Sequence, residues 1–192
     1  MTHNEIINNI INGKILSEYN HANIITRYDG HDFFKFDCSG FVAWYIGTNG
    51  YLRALAEIKN YLKQTNLLKI NRFYCQDFKH FYKNSTSFNY WKIHKNILDI
   101  NHDDVVVIIY DDGNGHMMIV DKIIYKNDNS LELKIIDSTR LLHKNDTRKS
   151  GTSGIGYGEI KLTIDDKGVI YDAQNPTRTP VYIDAYVARP VK

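Results

Sequence analysis

Residues 105–137 read VVVIIYDDGNGHMMIVDKIIYKNDNSLELKIID. Three apolar runs of strand length are separated here by short segments of Asp, Asn and Gly, which are typical of turns between strands. Two more runs of this kind follow, GEIKLTI at 158–164 and VYIDAYVARPV at 181–191. The pattern predicts that the second half of the chain is mostly antiparallel sheet.

The first half of the chain has helical rather than strand-like spacing of its apolar residues. Four segments carry this spacing: 4–19, a run that begins at Cys38, 51–64 and 72–82. Residues 20–36 have neither period and are predicted to form a loop. Helices followed by strands favour an α+β domain, with N-terminal helices packed on a C-terminal antiparallel sheet.

Composition and charge limit the partners that this chain can bind. Hydrophobic residues make up 43% of the 192 residues and charged residues 24%, which fits one packed core. Lys and Arg number 24 against 22 Asp and Glu, and no basic run exceeds two residues, so nucleic acid is not an expected partner. Neither a signal peptide nor a membrane span is recognisable in MTHNEIINNIINGKILSEY. We expect no membrane partner, and localisation stays open between the cytoplasm, signal-independent export and a removed signal.

The chain has two cysteines, Cys38 and Cys75, in different sequence surroundings. Cys38 follows Asp37, a good helix N-cap, and opens an apolar helical run. The start of a helix lowers the pKa of a thiol and offers a backbone N–H to an oxyanion. Cys38 is therefore a candidate nucleophile, with a small core residue as the alternative. Cys75 has no apparent cap before it and is predicted to be a core residue, unpaired with Cys38.

The segment FDCSGFV at 36–42 resembles the nucleophile motif of the NlpC/P60 family of papain-like cysteine peptidases and amidases. Tyr28 is similar to the tyrosine that this family places before its cysteine. LDINHDDVVV at 98–107 resembles the entry to the family's sheet, although Asp103-Asp104 replaces the usual Gly-Asp, and GHMMIV at 115–120 is similar to its histidine strand. The resemblance implies a papain-like fold and an amide of a peptidoglycan stem peptide as substrate.

His116 is the candidate general base among eight histidines. It begins an apolar strand, which would place its imidazole at the rim of the sheet. A strand-edge histidine without a role is the alternative. The chain order Cys38 then His116 matches that of papain-like enzymes, in which the histidine takes the thiol proton.

Strand parity selects the residue that would orient His116. An even-length loop between the two strands puts Asp137 and Thr139 on the face of His116, with Ser138 on the other face. Asp137 is preferred because a carboxylate can accept the imidazole N–H. His143 is the runner-up, since the resembling family usually has His, Asn or Gln at this place.

Other polar residues near the motif have weaker assignments. The resemblance implies that Tyr28, Asp37 and Ser39 contact the oxyanion or the substrate's amino end, and Asp37 is the candidate partner for that amine. His116, Asp137 and His143 are possible metal ligands by type, but no ligand spacing supports a site, so we expect neither a metal nor a cofactor. The glycine-rich segment 151–158 precedes a strand rather than a helix, which argues against a phosphate loop and favours a flexible loop at the site's mouth.

Together these features predict a single NlpC/P60-like cysteine hydrolase domain over residues 1–192. Cys38, His116 and Asp137 would form the triad of a peptidase or amidase that cleaves stem peptides or their fragments. A transferase or deamidase acting on a protein or lipid is the alternative, and a non-catalytic binding domain is a third. We expect a monomer whose partner is a peptide or muropeptide substrate.

Overall fold

The computed structural model describes residues 3–68, 72–175 and 177–192. Its helices are α1 (His3–Ile11), α2 (Cys38–Thr48), α3 (Leu52–Gln64) and α4 (Cys75–Asn84), with a short 3-10 helix at Ile97–Asp99. Its strands are β1 (Leu16–Tyr19), β2 (Ile24–Tyr28), β3 (His31–Phe36), β4 (Trp91–His94), β5 (Val105–Ile109), β6 (Gly115–Lys126), β7 (Ser130–Thr139), β8 (Gly154–Asp165), β9 (Gly168–Asp172) and β10 (Val181–Pro190).

Six strands of the second half close into an antiparallel barrel. Their order is β10-β5-β6-β7-β8-β9, and β9 also pairs with β10, so these strands form a continuous ring. The remaining strand, β4, pairs with one end of β10. Alternate side chains fill the barrel, among them Val106, Ile108, Met118, Val120, Leu133, Ile135, Ile160 and Leu162.

The side chains that alternate with these point out of the barrel and pack against the helices. Val107, Met117 and Ile119 belong to the same buried cluster as Phe41 of α2 and Phe78 of α4. Helix α2 lies against β6 and β7 and is apolar on nearly every side. It is therefore a buried helix, and its N-terminus is fixed relative to the barrel.

A separate three-stranded sheet holds the segment before α2. Its order is β1-β3-β2, with β1 parallel and β2 antiparallel to β3. The Ser138 hydroxyl donates to the carbonyl oxygen of Phe36 at 2.6 Å, and the Ile155 N–H donates to the Ser17 hydroxyl at 3.0 Å. The end of β3, and so the start of α2, is tied to the barrel wall.

The turn before β5 contains Asp103 and Asp104, the two acidic residues of the segment that resembles the family's sheet entry. Asp103 has a φ of +66°, a backbone conformation that glycine adopts without strain. Asp104 is buried, and its carboxylate lies 2.8 Å from Arg189 Nε and 3.1 Å from His94 Nε2 while accepting the Asn101 N–H at 2.7 Å. This buried carboxylate joins β4, β5 and β10.

The prediction of an α+β, papain-like NlpC/P60 fold with N-terminal helices packed on a C-terminal sheet is wrong. The protein is mainly sheet, with a closed six-stranded barrel and four helices among the described residues. Closure depends on β9, a five-residue strand between two turns that the apolar runs did not reveal. Pairing between distant strands is not encoded in local periodicity, so the sequence pattern could not distinguish a closed barrel from a sheet.

Local predictions in the first half had mixed outcomes. Helix α2 is confirmed from Cys38, and α3 and α4 lie close to their predicted ranges. The predicted helix at 4–19 ends at Ile11, and Gly13 with a φ of +70° turns the chain into β1. The predicted loop at 20–36 contains β2 and β3, whose largely exposed side chains show no clear apolar alternation. None of the helices in the described part of the chain is long and apolar enough to cross a membrane.

Candidate active site

Cys38 is the first residue of α2, and its environment is built by the helix cap. Asp37 has the extended backbone of an N-cap, and its Oδ1 accepts the Gly40 N–H at 2.8 Å. The Cys38 side chain is buried, and the whole residue is only 6% exposed. Its Sγ lies 3.8 Å from Sγ of Cys75, a contact that was not expected from their different sequence surroundings.

The flanking residues Asp37 and Ser39 are occupied by structural contacts. Asp37 Oδ2 lies 3.0 Å from both Arg72 Nη1 and His21 Nδ1, and the Asp37 side chain is buried. The Ser39 hydroxyl is also buried, within hydrogen-bond distance of Asp37 Oδ1 and of the Phe73 carbonyl oxygen. The assignment of Asp37 to a substrate amine needs correction, because its charge is already balanced by Arg72.

The structure does not bring Tyr28 to Cys38. Tyr28 is 64% exposed and pairs with His31 at the far end of the β2–β3 hairpin. His31 is five residues before Phe36, or about 16 Å along the strand. The predicted oxyanion or substrate role of Tyr28 therefore has no geometric support.

Tyr19 is the tyrosine at this site, and sequence reasoning missed it. It pairs with Phe36 in the parallel β1–β3 register, next to the start of α2. Burial raises the pKa of Tyr19 to about 12, and the nearby charges of Cys38 and Asp37 act in the same direction. Its hydroxyl stays protonated at neutral pH and can donate a hydrogen bond. Strand register alone shows that Tyr19, and not Tyr28, lies beside the start of α2. Spacing in the sequence could not have identified Tyr19.

His116 lies near the start of β6, on the inner face of the barrel and opposite Ile108. Its Nε2 is 2.6 Å from Oδ2 of Asp137. Since a carboxylate oxygen only accepts, Nε2 carries the proton, and Nδ1 is the ring nitrogen left for Cys38. The His116 side chain is 12% exposed, the most open of the three predicted catalytic groups.

Asp137 is fully buried and is shared by three cationic or potentially cationic side chains. Its Oδ2 lies 2.8 Å from Nε2 of His143 as well as 2.6 Å from His116. Its Oδ1 lies 2.9 Å from Nη1 of Arg148, whose guanidinium also contacts Asp146 at 2.6 Å. The candidate orienting residue and its runner-up are thus both present, with Asp137 on His116 and His143 behind Asp137.

The parity argument for Asp137 holds because two irregularities cancel. Residues paired near the turn, Lys126 and Leu131, have an odd sum of residue numbers, as do Ile119 and Ile136 near the site. Register shifts after Val120 and after Ile123 change the parity twice between these points. Ser138 consequently points away from the barrel interior, as predicted.

Two glycines of β8 make room for His143 and Arg148. A Cβ on Gly156 would lie 2.8 Å from Arg148 Cγ, and one on Gly158 would lie 2.5 Å from His143 Cβ. In the segment 140–153, the side chains of His143 and Arg148 therefore pack directly on the backbone of Gly158 and Gly156 at the end of the barrel. The predicted flexible loop at 151–158 is wrong for residues 154–158, which belong to β8. Glycine at every second position was the signal for this inner face.

Opposing effects set the charges in this network. Burial alone would raise the pKa of Asp137, but Arg148, His143 and the hydrogen bond from His116 hold it well below its ordinary value. Burial would lower the pKa of His116, whereas Asp137 and Cys38 raise it to about 10. The hydrogen bond from Cys75 lowers the pKa of Cys38 against its burial, and His116 lowers it further. A thiolate and an imidazolium are favoured together at neutral pH.

The same residues satisfy a distance criterion for a metal site. Ligand atoms of His116, Asp137 and His143 all lie within 4.8 Å of one another. Both Nε2 atoms, however, approach one carboxylate oxygen, and the guanidinium of Arg148 approaches the other. Protonated donors and an arginine cation already balance this carboxylate, so the arrangement fits a hydrogen-bonded network better than metal ligation.

Comparisons with known proteins cover family models, curated proteins and solved structures. None of the three produced a match to this chain. The likeness to the NlpC/P60 family rests on the motif residues alone.

Proposed function

We propose that this protein is a cysteine hydrolase that cleaves an amide bond by acyl transfer. The observation that carries the proposal is the buried linkage of His116 to Asp137 at 2.6 Å, next to a cysteine at a helix start. The three residue types, their chain order and their protonation states are those of a thiolate–imidazolium pair with an orienting carboxylate.

The proposed reaction begins with attack of the Cys38 thiolate on the carbonyl carbon of the amide. The negative charge that develops on oxygen would be met by the Cys38 N–H, because the first N–H groups of a helix lack intrahelical acceptors. The protonated hydroxyl of Tyr19 is a second candidate donor. His116 then gives its proton to the leaving nitrogen as the C–N bond breaks, which leaves a thioester on Cys38.

Hydrolysis of the thioester completes the cycle. His116, now neutral, takes a proton from water, the hydroxyl oxygen attacks the thioester carbonyl, and the Cys38 thiolate leaves. Asp137 keeps the imidazole in one orientation throughout and stabilises its charged form. Arg148 and His143 hold Asp137 in place and keep it ionised, so they act as positioning residues.

For the substrate we propose fragments of peptidoglycan stem peptides, as the motif resemblance implies. Cys38 is nearly inaccessible and His116 is only slightly open. Such a recessed nucleophile suits a short acyl group better than a crosslinked polymer. Short peptides should therefore be better substrates than intact sacculi.

The test compares wild type, Cys38→Ala and Cys75→Ser on purified muropeptides, intact sacculi and a soluble proteome. Mass spectrometry should find cleaved muropeptides with wild type and Cys75→Ser but none with Cys38→Ala. Faster turnover of sacculi than of muropeptides would contradict the proposed substrate preference. A protein modified only by wild type, with no muropeptide cleaved, would replace cleavage of stem peptides with the transferase or deamidase reaction.

A further inference from the structure

A cavity of about 410 Å³ opens at the end of the barrel where His116 lies. Its wall includes Tyr110, Tyr171 and Arg178. Tyr110 is two residues beyond Ile108, which pairs with His116 on the neighbouring strand β6. The Tyr110 and Tyr171 rings are 6.3 Å apart and pack on the barrel interior. The cavity and the candidate catalytic groups therefore share one mouth of the barrel.

Electrostatic effects agree with this placement. Burial raises the pKa of Tyr110, and Cys38 adds to the increase while Arg178 opposes it. Burial also raises the pKa of Tyr171, with contributions from Tyr110 and Asp137. The charges of Cys38 and Asp137, the proposed nucleophile and orienting carboxylate, therefore act on the tyrosines of the cavity wall.

Arg178 gives this cavity an available positive charge. Within residues 3–68, 72–175 and 177–192, no carboxylate lies within ion-pair distance of its guanidinium. Asp112 also lines the cavity and is ionised, because the Asn114 N–H at 2.9 Å and Asn114 Nδ2 at 2.8 Å donate to its oxygens and lower its pKa, but it forms no ion pair with Arg178. Tyr110 lines the same cavity, and Arg178 lowers the pKa of its hydroxyl against the effect of burial.

We propose that this cavity is a subsite for a free carboxylate of the substrate, which Arg178 binds with help from the Tyr110 hydroxyl. The planar guanidinium can donate two parallel hydrogen bonds to a carboxylate, whereas a neutral amide has no charge to match. The inference deepens the proposed function and rests on it: the preferred amides carry a carboxylate close to the bond that is cut. Arg178 is then a specificity-determining residue, separate from the catalytic groups.

Protection of Cys38 from iodoacetamide tests the subsite without any turnover. Glutarate is the probe, and glutaramide at matched ionic strength is its uncharged control. Labelling of Cys38 in wild type should slow with glutarate and not with glutaramide. In Arg178→Gln the glutarate concentration for half-protection should rise about 10- to 100-fold. Arg53→Gln makes the same charge change at an exposed residue of α3 and should keep the wild-type value.

Binding of glutarate to Cys38→Ala, followed by NMR, separates failure of the subsite from failure of the reaction. Shifts of the Tyr110 and Tyr171 resonances that vanish with an added Arg178→Gln change would support the subsite even if Cys38 proved unreactive. Unreactive Cys38 in wild type would instead overturn the proposed hydrolase. Equal glutarate affinity with and without Arg178, or equal effects of glutaramide, would overturn the carboxylate subsite.

Discussion

The sulfur of Cys38 lies 3.8 Å from the sulfur of Cys75, at a point where two helices begin. Cys38 opens α2 and Cys75 opens α4, where the Tyr74 N–H donates to the Asp77 carboxylate at 2.8 Å. Cys75 is a core residue, as predicted, but it also starts a helix and contacts the proposed nucleophile. The hydrogen bond between the two sulfurs lowers the pKa of Cys38 and raises that of Cys75.

Removal of this hydrogen bond should lower the fraction of Cys38 that is thiolate at neutral pH. In Cys75→Ala the Cys38 thiolate loses a donor, so the midpoint of its pH-dependent labelling by iodoacetamide should move to higher pH. Cys75→Ser keeps a donor at the same place and is the matched control. An unchanged midpoint in Cys75→Ala would mean that Cys75 does not stabilise the thiolate.

A peroxide should convert the pair into a reversible disulfide. The Cys38 thiolate attacks a peroxide oxygen to give a sulfenic acid, and Cys75 then attacks that sulfur with loss of water. Intact mass should fall by two hydrogen atoms and return with dithiothreitol, while labelling of Cys38 is blocked in between. Cys75→Ser should give higher oxidation states of Cys38 instead. A wild-type protein that also progresses directly to those states would exclude the disulfide.

Local signals in the sequence were sufficient for the start of α2 and for the triad candidates. The N-cap Asp37, the apolar run after Cys38 and the parity between His116 and Asp137 each depend on residues close in the chain or on one hairpin. Tyr19 could not be found this way, because its place depends on a parallel pairing with β3.

The remaining support of the site comes from distant segments. Arg148 and His143 reach Asp137 only because a loop folds back over β8, and barrel closure needs β9 to meet β10. These contacts depend on tertiary packing, so the local sequence contains only weak signals of them. The alternating glycines of β8 were such a signal, but the glycine-rich composition of residues 151–158 suggested a loop.

The ion pair of Cys38 and His116 should stabilise the fold most between pH 6.5 and 9.0, the ordinary pKa values of the two groups. As the pH decreases below 6.5, the free energy of unfolding decreases, because the folded state keeps Cys38 ionised while the unfolded chain binds a proton at this thiol. Above pH 9.0 stability falls as the pH approaches 10, because folded His116 holds a proton that the unfolded chain has lost. Within the interval the two proton effects cancel.

The measurement compares the free energy of unfolding of wild type with that of Cys38→Ala/His116→Gln by urea denaturation across this range. The difference between them should form a plateau from pH 6.5 to 9.0 and decline on both sides. His102→Gln changes an exposed imidazole and is the control for a general histidine effect. A difference that rises steadily with pH would show that His116 is neutral beside a thiolate.

The glycines of β8 give a prediction that joins stability to reactivity. In Gly158→Ala the new Cβ would meet His143 Cβ at 2.5 Å, and in Gly156→Ala it would meet Arg148 Cγ at 2.8 Å. Either change should displace a side chain that holds Asp137 and destabilise the fold by about 1–3 kcal/mol. Labelling of Cys38 at neutral pH should also slow, because a misplaced Asp137 stabilises the His116 imidazolium less well.

Gly47→Ala is the matched control, because it adds the same methyl group in α2 where the nearest atom is Leu52 Cδ2 at 3.5 Å. That distance is an ordinary contact, and alanine is favoured over glycine in a helix by about 0.5–1 kcal/mol. Gly47→Ala should therefore unfold at higher urea concentration than wild type with unchanged labelling of Cys38. If Gly158→Ala behaved like Gly47→Ala in both measurements, His143 would have no part in holding Asp137 and the proposed support of His116 would reduce to Asp137 and Arg148.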